Sequence, residues 1–216
     1  MTHLNLPIVV IFLSIFSCLA LVEPSWARHN PQTQTQTMAY IKSSCQGTRF
    51  PDLCMRCLAR FSNSNIDGPQ HLAHVALSVS LSRALQTRGY LLKVSKELEG
   101  LKSDRVYLIV QDCVSQMNDS VEQLSQAIKE LRRLNKRTII DDNFLFHISN
   151  VETWVSTAET EASYCVQSIP GHRMSKKTAT IKVKAQNVAE VTSNALALFH
   201  RYASRYRAAA RATNKP

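Results

Sequence analysis

Cys54-Met55-Arg56-Cys57 is the first place in this 216-residue chain where residue types and spacing suggest chemistry. Two thiols at that spacing can cycle as a dithiol or supply half of a zinc site. A redox pair of this kind follows a strand, and none precedes this one. A structural zinc site needs a second pair, and the sequence has no other C-x-x-C. Cys57 is therefore read as a spare free thiol, partly buried against neighbouring helices. His71 and His74 share a helical face, but no carboxylate or thiolate joins them nearby, so they read as a solvated pair at a helix start rather than metal ligands. Asp141 and Asp142 are adjacent and suit a turn and a helix start. No Ser/His/Asp arrangement, pocketed carboxylate pair or phosphate loop emerges. The expectation is a protein that is not an enzyme, with no catalytic residue, no metal and no cofactor.

The elements that hold these residues are helices. Across Asp104–Leu134, Val106, Val110, Cys113, Met117, Val121, Leu124, Ile128 and Leu131 recur at alternating steps of three and four, with charged residues off the stripe. At about 1.5 Å per residue this helix is roughly 45 Å long and needs long partners. Phe144–Ile169 repeats the pattern through Ile148, Val151, Val155, Ala158, Ala162 and Cys165. The polar connection Asn135–Asn143 is short enough to make the two antiparallel neighbours. Counted outward from that connection, Cys113 stands as far before Leu134 as Cys165 stands after Phe144. The two cysteines therefore fall level, and a bridge between them is allowed.

Two more long helices are expected. Pro69–Glu99 alternates in part like a strand and is interrupted at Gly89, but a lone strand would have nothing to pair with. Lys176–Arg207 carries the seam Ile181, Val188, Val191, Ala195, Leu198 and Tyr202. Ahead of these, Met38–Cys45 and Pro51–Phe61 form a short helical hairpin broken at Gly47. A bridge from Cys45 to Cys54 would close it, although the sequence alone permits several pairings. The fold class is all-α: an up-down-up-down four-helix bundle over 69–207, with an N-terminal helical hairpin over 38–61, stapled by disulfides. Residues 28–37 (RHNPQTQTQT) read as a disordered polar N-terminus, and 208–216 as a basic tail.

Met1–Ala27 reads as a secretory signal peptide: Ile8–Val22 is apolar apart from serines, and Ser25-Trp26-Ala27 offers a cleavage site. It departs from the usual pattern in lacking Lys or Arg ahead of the apolar run. A short uncleaved anchor is the alternative. No later stretch approaches the ~20 apolar residues of a membrane span. Removing the leader takes Cys18 and Glu23 away, raises the net charge from +10 to +11, and leaves five cysteines, one of them unpaired. Most of that charge sits in Arg173–Pro216, where ten basic residues face Glu190 alone. Export argues against nucleic acid, so an acidic extracellular polysaccharide or plain solvation fits the electrostatics. Asn118-Asp119-Ser120 is a glycosylation sequon set within a helix.

Cys45, Cys54, Cys113 and Cys165, the segment Asn150-Val-Glu-Thr-Trp-Val-Ser156 leading to Cys165, and Ser193-Asn-Ala-Leu-Ala-Leu198 together resemble the plant pectin methylesterase inhibitor and invertase inhibitor domain. The resemblance covers about Met38 to Tyr206. It implies bridges Cys45–Cys54 and Cys113–Cys165, and an apoplastic, cell-wall protein that inhibits a carbohydrate-active enzyme by covering its cleft. Invertase inhibitors of the family carry Pro-Lys-Phe at the start of the penultimate long helix. Asp141-Asp142-Asn143-Phe144 stands there instead, so the resemblance is closer to the pectin methylesterase inhibitors. The expected partner is pectin methylesterase, met by a rigid helical face carrying Glu152, Thr153, Ser156, Thr157 and Thr160. The alternatives are an inhibitor of cell-wall or vacuolar acid invertase, and a non-inhibitory wall protein that binds acidic pectin through Arg201–Lys215. Many plant pectin methylesterases are basic, so a +11 inhibitor must meet its target with a face that excludes the basic last helix, meet an acidic target, or be bridged to it by pectin.

Overall fold

The computed structural model describes residues 31–64, 66–101, 104–134, 141–170 and 175–213. The leader Met1–Ala27 lies outside these residues, as do Arg28–Asn30 and most of the Asn135–Asn143 connection. Six α-helices are present among the described residues: α1 (Pro31–Cys45), α2 (Pro51–Leu58), α3 (Pro69–Glu97), α4 (Arg105–Leu134), α5 (Asp142–Ser168) and α6 (Lys176–Thr213). Single turns of 3-10 helix at Ala59–Phe61 and Glu99–Leu101 extend α2 and α3.

Local chemistry sets most of the starts. Pro51 and Pro69 occupy first turns, where a missing N–H costs nothing. Asp141 accepts the Phe144 N–H at 2.7 Å, Asp104 accepts the Val106 N–H at 2.7 Å, and Ser175 accepts the Thr178 N–H at 3.2 Å. Each oxygen satisfies a donor that the first helical turn leaves open.

Contacts run around a ring, α3 to α4, α4 to α5, α5 to α6 and α6 back to α3. Paired residues step down one helix as they step up the next. Cys113–Cys165, Ser120–Ala158 and Glu130–His147 join α4 to α5 in this way. Gln70–Tyr202 and Glu97–Lys177 do the same for α3 and α6. The bundle is therefore antiparallel throughout. Its core takes Met117, Leu124 and Leu131 from α4, Ile148, Val151 and Val155 from α5, and Val188, Phe199 and Tyr202 from α6. Trp154 is half-buried at the edge of this core.

Two disulfides are present among the described residues, Cys45–Cys54 closing the hairpin and Cys113–Cys165 joining α4 to α5, with Cα atoms 5.6 and 4.7 Å apart. Cys57 is free and 7% exposed. Where α4 meets the start of α5, Glu130 is buried between Arg133, at 3.0 Å, and the His147 ring, so its charge is partnered on both sides.

Four features differ from the expectation. The Gln-Thr stretch through Thr37 is helical from Pro31, not disordered, because α1 propagates back from Tyr40 and Ile41, which pack on the core, and Thr37 is itself buried. At the other end α6 continues to Thr213, so residues 208–213 of the expected tail are helix. Their Ala-rich sequence has high intrinsic propensity. Gly89 does not interrupt α3: its solvent-facing position has no neighbour to lose. Lastly, His71 does have a carboxylate beside it, Asp67 at 3.1 Å, although no group of three ligands that could hold a metal occurs among the described residues.

Candidate functional site

On the surface of the bundle, a groove of about 470 Å3 lies between α5 and α6. Glu152, Thr153, Ser156, Thr157 and Thr160 line it from α5, and Leu196 and His200 from α6. All five residues expected at a partner contact thus lie together. Farther along the same two helices a second hollow of about 390 Å3 runs past Glu159, Ser163 and Val166 to Glu190. Arg49 and Phe50, from the turn of the hairpin, close its end.

The groove's polar atoms are already ordered. Thr153, Thr157 and Thr160 each donate their hydroxyl to the carbonyl four residues back, at 2.9, 2.9 and 3.0 Å. Their O–H groups are spent within α5. Each hydroxyl oxygen keeps its lone pairs, so the row accepts hydrogen bonds. Glu152 does not stand free. Arg207 grips both its oxygens, Nη1 reaching Oε1 at 2.7 Å, and His200 Nε2 lies 3.5 Å from Oε1. The Glu152 hydrogen bonds raise the Arg207 pKa above its ordinary value, so the fork stays charged.

Charge is distributed in a way that bears on the partner. α5 carries Asp142, Glu152, Glu159 and Glu161 and no Lys or Arg, the reverse of the chain as a whole. With Glu190 and Glu159 both lining the second hollow, this side gathers carboxylates on a protein that is basic as a whole.

Two α6 residues hold the hairpin against this side. Asn194 accepts the Phe50 N–H at 3.0 Å and donates to the Phe50 carbonyl at 2.9 Å, closing both backbone valences of the turn. Arg201 donates to the Ser44 carbonyl at 2.8 Å, in the last turn of α1. Its guanidinium fills the space under Gly47, where a Cβ would lie 1.8 Å from Nη2. The Ser193–Leu198 segment thus acts on the fold through Asn194.

Sequence reasoning missed Asn194 as a clamp, and missed Leu196, His200, Arg207, Arg49 and Phe50 as groove and rim. His200 and Arg207 are two turns apart on one face of α6, and that spacing was available as a signal. The hairpin residues carried none, since only the fold brings them to α5.

A rigid bundle with an ordered surface groove acts by presenting shape and charge, which is the class of helical-bundle inhibitor. The family model described as plant invertase/pectin methylesterase inhibitor matches residues 39–198, and the chain belongs to that family. Its members are inhibitors rather than catalysts. The chain is 36% identical over 197 residues to pectinesterase inhibitor 9 of Arabidopsis thaliana, covering 90% of this chain and 94% of that protein. It is 35% identical over 169 residues to a 21 kDa protein of Daucus carota, covering 78% and 86%. A crystal structure of a mutant form of an Arabidopsis pectin methylesterase inhibitor superposes with a TM-score of 0.58 at 20% identity, covering 76% of this chain and 95% of that one, which speaks to the fold.

Proposed function

We propose that this protein inhibits a pectin methylesterase, docking the α5/α6 groove against the enzyme so that pectin cannot enter its cleft. The observation that carries this reading is the acceptor-rich groove lined by Glu152, Thr153, Ser156, Thr157 and Thr160, in which Glu152 and the three threonines are held before any partner arrives. α5 brings no Lys or Arg to a basic enzyme, the Arg207 guanidinium beside it is forked onto Glu152, and pre-ordered side chains lose little entropy on docking. The relatives named as pectinesterase inhibitors support this target over an invertase. The test is to titrate the mature protein against one pectin methylesterase and one acid invertase. Stoichiometric loss of esterase activity with the invertase untouched supports the reading, and the opposite pattern defeats it.

The proposal places the protein in the apoplast, exported by its leader. No helix among the described residues is long and apolar enough to cross a membrane. A second role, binding de-esterified pectin through the basic end of α6, draws on fewer residues than the sequence offers. Arg201 and Arg207 are held by Ser44 and Glu152, Lys177 by Glu97, and Lys182 by the Ile169 carbonyl. Besides these, the sequence from Arg201 onward offers Arg205, Arg211 and Lys215. Replacing these three with Ala abolishes retention on a de-esterified pectin column if the role is real, and wild-type protein that passes through unretained rules it out.

A further inference from the structure

The inhibitory face makes no use of the sequon Asn118-Asp119-Ser120 or of the exposed leucines of α3. We propose that Asn118 carries an N-linked glycan, and that the glycan lies over the apolar flank formed by Leu85 and Leu92. The proposal rests on the export reading above, because the sugar donor and its transferase belong to the secretory route.

Register brings the two together. His74–Arg132 and Ser95–Gln111 join α3 to α4, and the two helices advance by equal lengths of chain between those pairs. Asn118 follows Gln111 by about two full turns, so it leaves α4 on the same α3-facing side. The same register puts it level with Arg88, between Leu85 and Leu92. Those leucines are 40% and 50% exposed. They follow His74 by about three and about five turns, and so share its α4-facing flank. Sugar rings present C–H faces that suit such a flank. The flank is on the side of the ring opposite the α5/α6 groove, so a glycan there leaves docking open.

Ser120 adds an order of events. It is fully buried, and its Oγ–H donates to the Ala158 carbonyl on α5 at 3.0 Å. A transferase that must read the whole tripeptide therefore acts before α5 packs on α4. In the transfer, Asn118 Nδ2 attacks C1 of a lipid-pyrophosphate-linked oligosaccharide. The N–C1 bond forms, the C1–O bond to pyrophosphate breaks, the lipid pyrophosphate leaves, and the amide nitrogen loses one proton.

The test expresses the full chain in a secreting plant cell line and treats the exported protein with peptide N-glycosidase. The expected result is a fall in mass of one N-glycan for wild type and none for Asn118→Gln. Asn118→Gln should bind more of the apolar dye anilinonaphthalene sulfonate, and adding Leu85→Ser and Leu92→Ser should remove the excess. Exported protein without sugar overturns the proposal and leaves export standing. A chain that never reaches the medium overturns both. A glycan whose removal leaves dye binding unchanged overturns the covering role.

Discussion

Asn194 ties the hairpin to the bundle with two hydrogen bonds to one residue, Phe50, whose N–H has no helix ladder to join and whose carbonyl also accepts the Cys54 N–H at 2.9 Å. Asn194→Ala leaves the Phe50 N–H without its partner and the Phe50 carbonyl with the Cys54 N–H alone, and the expected loss is about 2 kcal/mol. Chemical denaturation should show it as a lower midpoint with an unchanged slope. His74 makes a pH prediction. Burial, then the charges of Arg132 and His71, hold its imidazole below the ordinary 6.5. Its Nε2 also accepts from Arg132, which requires the neutral ring. The unfolded chain takes up a proton near 6.5 before the folded chain does. Stability contributed here is thus present above that value and falls as pH drops toward the folded pKa. Urea midpoints at pH 7 and pH 5 should differ less in His74→Gln than in wild type. None of this was legible in the sequence: Asn194 stood only inside a family segment, and His74 looked solvated because Arg132 is far away along the chain.

Helices were the most legible level. The seams of α4, α5 and α6 were readable because each buries a narrow stripe against long partners, and a stripe of that kind needs apolar residues at steps of three and four. The level placing of Cys113 and Cys165 followed from counting outward from the turn; the pairing of Cys45 with Cys54 came from the resemblance. Ends were less legible. The Gln-Thr start of α1 has no apolar period to read, and the close of α6 continues on Ala propensity after its seam has stopped. The Cys113–Cys165 bridge joins positions separated by 52 in sequence, and replacing both with Ala should cost about 4 kcal/mol on a loop-entropy account, measured by denaturation against wild type. Because Ser120, Met117 and Val155 still pack that seam, the variant should remain helical by circular dichroism.

At the scale of the molecule, charge and shape divide the surface. Basic residues crowd α6, yet several are absorbed by structure, while α5 is wholly free of Lys and Arg and borders the groove. Net charge read from the sequence hid this, since +10 averages over both sides. The five groove residues on α5 could be named in advance because a helical face is periodic; the contributions of α6 and the hairpin needed the fold. Binding should therefore depend on salt less than a +10 protein would suggest, and Glu159→Lys with Glu190→Lys should slow association with a basic enzyme, as read by stopped-flow or surface binding. The most direct test of the central claim is to titrate a pectin methylesterase with Thr153→Arg/Thr157→Arg, after melting curves show it folded. The account predicts that wild type inhibits stoichiometrically and that the double variant loses inhibition by ~100-fold or more, as two bulky cations at the centre of an interface would cause. Undiminished inhibition by the folded double variant would contradict it.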